Sequence, residues 1–160
     1  SANITNNFGL FFNDSSTAGG SAITNNGGLN FNNTSTAGNA TITNNGGLNF
    51  NNSSTAGNAT ITNNGNPNFN NTSTAGNAAV ANSAVAVTDF SSSFGPNGHG
   101  KLSAGSIAGG GTFNLGANEL TVGSNNLSTV VSGVISGSGG SLVKIGTGTL
   151  TLSGANTYTG

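Results

Sequence analysis

A step of 19 residues governs the first half of this chain. Ile4, Ile23, Ile42, Ile61 and Val80 follow one another at that interval, as do Phe12, Phe31, Phe50 and Phe69. Ala18, Ala37, Ala56 and Ala75 keep the same step, and so do Gly19, Gly38, Gly57 and Gly76. A self-similar period of this size is the signature of a solenoid, in which a unit too short to bury its own apolar face does so by stacking on its copies.

The unit from Ala40 to Asn58 shows how each turn is built. Its alternation has a period of two, so Ala40 and Ile42 face one way and Thr41 and Thr43 the other. Leu48 and Phe50 read as a second short strand, and Ser54 with Ala56 as a third. Asn-Asn-Gly-Gly and Asn-Asn-Ser fall between them as turns. Three strands and three turns per unit make one coil of a three-sided parallel β-solenoid, each coil pairing with the next at about 4.8 Å. About eight coils of 19 to 23 residues then form a rod roughly 40 Å long.

Stacking also resolves a difficulty set by composition. Only 32% of the residues are hydrophobic, yet Ile on Ile, Leu on Leu and Phe on Phe along an axis can form a continuous core. Fully burying one such side chain contributes about 2 kcal/mol, which competes with ordering entropy only when the backbone ladders are shared on both sides. The many asparagines admit two readings at this level. They either stack their amides along the axis or serve as residues that tolerate left-handed turns.

Charge narrows the function. Charged residues make up 3% of the chain, against about 25% in an ordinary soluble domain. Lys101 and Lys144 are its only cationic side chains, too few to build a surface for nucleic acid or anionic lipid. Cysteine is absent and His99 is the single histidine, so thiolate sites and His-His metal pairs are excluded. No apolar run is long enough to span a membrane as a helix.

Beyond Val80 the strict period fails and the pattern survives. Residues 1–79 form four regular repeats, 80–100 an irregular coil with a loop excursion, and 101–160 further coils. Ala81 to Phe90 reads as a strand pair, and Ser91 to Gly100 carries the excursion, Gly-Pro-Asn-Gly-His-Gly. Short strands are expected at Thr112–Leu115, Glu119–Val122, Leu127–Val131, Ser141–Ile145 and Thr149–Leu152.

The stretch from Val134 to Gly160, and above all Lys144-Ile-Gly-Thr-Gly-Thr-Leu-Thr-Leu-Ser-Gly-Ala-Asn-Thr-Tyr-Thr-Gly160, closely resembles the passenger-associated repeat of bacterial autotransporters. Gly109 to Asn126 is similar in style, as, more weakly, are the Asn/Thr/Gly-rich 19-residue repeats. The resemblance implies a right-handed parallel β-helix, secreted by or displayed on the surface of a Gram-negative bacterium, in which such repeats are associated with passenger export and folding. The pattern stops in mid-course at Gly160, so the expectation is a segment that continues into more coils or associates end to end.

Candidate chemistry is sparse. Asp14 occupies a column that is asparagine at Asn33, Asn52 and Asn71, which marks it as a turn residue. Asp89 and Glu119 are not a whole number of coils apart, so no carboxylate pair of the kind glycosidases use is expected. The expectation is a protein without catalytic residues, cofactor or metal. Two binding candidates remain. One is the excursion, with Asp89, Pro96, His99 and Lys101, because loops projecting from a rigid scaffold often carry recognition. The other is the outward face bearing Thr41, Thr43, Thr60 and Thr62, whose regular hydroxyls could also order water. The preferred reading is a structural or adhesive segment whose partner is a glycan, a cell surface or another copy. An end-to-end fibre subunit and a fragment of a polysaccharide-active enzyme are the alternatives.

Overall fold

The computed structural model describes residues 1–160, all of them in strands, turns and connecting segments without a helix. Four coils carry two strands each: β1 (Asn3–Asn6) and β2 (Gly9–Phe12), β3 (Ala22–Asn25) and β4 (Gly28–Phe31), β5 (Thr41–Asn44) and β6 (Gly47–Phe50), then β7 (Thr60–Asn63) and β8 (Asn66–Asn71). Three coils follow with three strands each. They are β9 (Ala79–Asn82), β10 (Val87–Ser93) and β11 (Lys101–Ala104); β12 (Ser106–Gly109), β13 (Thr112–Asn114) and β14 (Glu119–Val122); and β15 (Thr129–Val131), β16 (Ile135–Ser136) and β17 (Ser141–Lys144). β18 (Leu150–Leu152) opens the eighth. Every pairing is parallel, in one sheet of eight strands (β1-β3-β5-β7-β9-β12-β15-β18), one of seven (β16-β13-β10-β8-β6-β4-β2) and one of three (β11-β14-β17).

The repeat positions face one another as the 19-residue step requires. Ile4, Ile23, Ile42, Ile61, Val80 and Ile107 pair in sequence across the first sheet, and all but Ile4 are buried. In the second sheet the rings of Phe12, Phe31, Phe50, Phe69 and Phe90 stack at centroid distances of 4.8 or 4.9 Å with planes within 17° of parallel. That spacing matches the strand separation, so backbone pairing and ring stacking reinforce each other. After Phe90 the aromatic column stops, and Phe113 pairs instead with Thr88 in the neighbouring column, which held Leu10, Leu29, Leu48 and Pro67.

The third side differs from the sequence expectation. In the first four coils it contains no strand at Ser54 to Ala56; only Thr17, Thr36, Thr55 and Thr74 form isolated parallel bridges. The flanking inward side chains there are Ser35, Ser54 and Ser73 with Ala37, Ala56 and Ala75, all buried. Small side chains offer little area to hold a sheet together. The side becomes a sheet where Leu102 and Leu120 stand in register with Leu142, and Thr74 joins the two regimes through hydrogen bonds between its Oγ1 and the backbone of Ser103, each 3.1 Å.

Asparagine takes both roles left open above, in different columns. Asn33, Asn52 and Asn71, with Asp14, hold φ of 55° to 59°, the left-handed turn conformation. Asn6, Asn25, Asn44, Asn63 and Asn82 end their strands rather than opening turns, point inward and are buried. Each carboxamide of the first four donates through Nδ2 to Oδ1 of the next coil at 2.6 to 3.0 Å. At the end of the ladder Asn82 donates to the carbonyl of Thr112 and accepts from the Thr88 hydroxyl. The slot then becomes Gly109, Val131 and Leu152 in register, and the amide core gives way to an aliphatic one.

Candidate binding face and loop

The outward positions of the first sheet form two ranks. One runs Ala22, Thr41, Thr60, Ala79 and Ser106; the other runs Thr5, Thr24, Thr43, Thr62, Ala81 and Ala108. Thr41, Thr60 and Thr62 are exposed and Thr43 half-buried, so the four threonines singled out by alternation share one outer face. Beyond Thr60 and Thr62 the side chains shorten to Ala79, Ala81 and Ala108, while Leu127 and Thr129 rise on the far side. The result is a groove of about 200 Å³. The surface it presents is almost wholly apolar, since the hydroxyls of its threonines and of Ser106 barely reach it, and it contains no ionisable group. Such a surface suits an apolar face of an uncharged ligand.

The loop residues are not drawn into one constellation. Asp89 lies on the outside of the second sheet, where its Oδ1 accepts from the backbone N–H of Ser91 at 2.8 Å and from Asn114 Nδ2 at 3.1 Å. It sits in register with Asn68, so it acts as an acceptor within an amide column. Pro96 and His99 are exposed on the excursion between β10 and β11. Lys101 opens β11 directly opposite Glu119 of β14, with Nζ to Oε1 at 3.4 Å. That pair escaped the sequence reading, which had set Lys101 beside Asp89 and His99. Asp89 and Glu119 belong to different sheets.

Side-chain amide ladders also cover the outside. Asn26, Asn45 and Asn64 each donate to the coil before them at 2.9 Å, as do Asn32, Asn51 and Asn70 at 2.8 to 2.9 Å. Their polarity is opposite to that of the buried ladder, which donates to the coil after. Alternation contained the signal for the buried members, since Asn44 shares the parity of Ala40 and Ile42.

These features define the class: a repeat-built parallel β-solenoid of about eight coils with a neutral outer face. Residues 142–160 match the family described as Passenger-associated-transport-repeat, a match that fits an autotransporter passenger segment. No curated protein and no solved structure matches the chain significantly. The matched stretch touches all three sides of the solenoid and makes most of one circuit. It runs through β17 and β18, then along the second side, where Thr157 N–H donates to Ile135 O at 2.9 Å and Thr159 N–H to Gly137 O at 3.2 Å. Tyr158 packs there against the core.

Proposed function

We propose that this chain is a structural and adhesive β-solenoid segment of an autotransporter passenger, secreted by or displayed on a Gram-negative bacterium. The observation that carries the reading is that the passenger-repeat match lies on the last strands of the same continuous solenoid that the 19-residue repeats build. The segment acts as a stalk that holds a neutral face toward a glycan or a cell surface, and the face is the threonine rank with its groove at Ala79, Ala81 and Ala108. An adhesive rather than enzymatic role is supported by the separation of Asp89 and Glu119 onto different sheets, which leaves no facing carboxylate pair.

The test is binding of the purified chain to immobilised neutral glycans and to intact cells. Binding changes little between about 50 and about 500 mM salt, because no ion pair is screened. Ala81→Phe, which fills the groove from an exposed position, weakens it while leaving thermal melting intact. Steep salt dependence would move the site to the loop with His99, and full binding by the Ala81→Phe variant would remove the groove from the account.

A further inference from the structure

Four Asn-Gly pairs occur in this chain: Asn26-Gly27, Asn45-Gly46, Asn64-Gly65 and Asn97-Gly98. The sequence makes an asparagine before glycine the most easily deamidated kind, because glycine has no Cβ to shield its amide nitrogen or to restrict the backbone. The fold divides the four into two groups. Asn26 donates to Asn7 Oδ1 and accepts from Asn45 Nδ2, both at 2.9 Å, so its carboxamide is held from two sides. Asn45 is held in the same way between Asn26 and Asn64, and Asn64 by its bond to Asn45. Their glycines are wedged against the preceding coil: an added Cβ would strike Phe8 O at Gly27, Gly27 O at Gly46 and Gly46 O at Gly65.

Asn97 stands apart. It is exposed on the excursion and its carboxamide makes no hydrogen bond within the chain. Open space surrounds Gly98, with no atom within 4 Å of where a Cβ would lie. The one restraint is the turn bond from Gly98 N–H to Gly95 O at 3.0 Å, which lies at the solvent surface and opens without disturbing a ladder.

We infer that Asn97 is a site of spontaneous covalent modification, selected by the fold from four chemically equivalent pairs. The Gly98 backbone nitrogen loses its proton to solvent and attacks Cγ of Asn97, forming a C–N bond. The Cγ–Nδ2 bond breaks and the amide nitrogen leaves with a proton as ammonia, giving a cyclic succinimide. Water then opens either carbonyl to aspartate or isoaspartate, so the net change is one water consumed and one ammonia released. The product is a carboxylate on the same loop as His99 and just before Lys101, in a chain whose net charge is only −1. A neutral loop tip thereby becomes anionic with age.

The experiment incubates the full chain in mildly alkaline buffer, native and in urea, and follows each pair by peptide mass mapping and total ammonia release. Natively, Asn97 converts about tenfold or more faster than Asn26, Asn45 or Asn64, because the ladder pairs react only after local opening. In urea the four rates converge, and Asn97→Gln removes the fast native ammonia phase. Native conversion at a ladder asparagine equal to that at Asn97 would overturn the inference. So would a native Asn97 that stays intact, or a rate difference that persists in urea.

Discussion

Nδ2 of Asn25 donates to Oδ1 of Asn44 at 2.7 Å, and both residues are fully buried. The same amide of Asn25 donates to the carbonyl of Gly47 at 2.8 Å, so both its protons are used where water cannot replace them. A solenoid with a small apolar complement thus fills part of its interior with polar groups that satisfy one another coil by coil.

Asn44→Asp tests this arrangement. The change removes the donors to Gly46 O and Asn63 Oδ1, both at 3.0 Å, and buries an acceptor-only group against them. The expected loss is about 3 kcal/mol. Asn45→Asp, one residue on and exposed, loses less than about 1 kcal/mol. Urea denaturation of the two variants checks the contrast.

Ser54 presents the reverse case. The hydroxyls of Ser35, Ser54 and Ser73 are buried without a hydrogen-bond partner, in three of the four coils whose third side lacks a sheet. Removing an unpaired hydroxyl removes its desolvation cost. Ser54→Ala is therefore expected to be neutral or to raise stability by up to about 1 kcal/mol, measured by thermal melting.

Phe50 lies between Phe31 and Phe69 in the ring stack, while Thr43 points outward. Phe50→Ala leaves a cavity facing three coils and costs about 3 to 5 kcal/mol, whereas Thr43→Ala changes melting little. Equal effects at the two positions would show that the inward and outward assignment is wrong.

The Lys101–Glu119 pair contributes little in spite of its position. The Lys101 side chain is 71% exposed, so solvent screens the 3.4 Å contact. A double-mutant cycle with Lys101→Ala and Glu119→Ala should give a coupling under about 1 kcal/mol, and stability should vary little with salt.

How much of this was legible in sequence follows from side-chain size and parity. The Ile and Phe columns stood out because large residues recur at a constant step. Asn44 reads as part of a turn because asparagine is a turn former, yet its parity places it inside, where it ends β5 and is buried. On the third side, alternation at Ser54 and Ala56 predicts a strand, but the side chains there are too small to support a sheet. β11 and β12 were missed because Lys101 to Gly109 is rich in Ser, Ala and Gly and looks like connecting chain. The Lys101–Glu119 pair and the groove depend on register carried through the irregular fifth coil, which no fixed step could supply. The passenger-like resemblance runs from Val134 to Gly160 with its core from Lys144, and the family match, residues 142–160, lies within it.

The most direct test of the stacked register uses two adjacent glycines. Gly46 lies so close to the preceding coil that an added Cβ would meet the carbonyl oxygen of Gly27, whereas nothing stands within 4 Å of the same position at Gly47. Thermal or urea unfolding of Gly46→Ala should show a loss of at least about 2 kcal/mol, and Gly47→Ala a change under about 0.5 kcal/mol. Indistinguishable stability of the two variants, or the larger loss at Gly47, would contradict the coil-on-coil register on which the fold, the ladders and the binding face all depend.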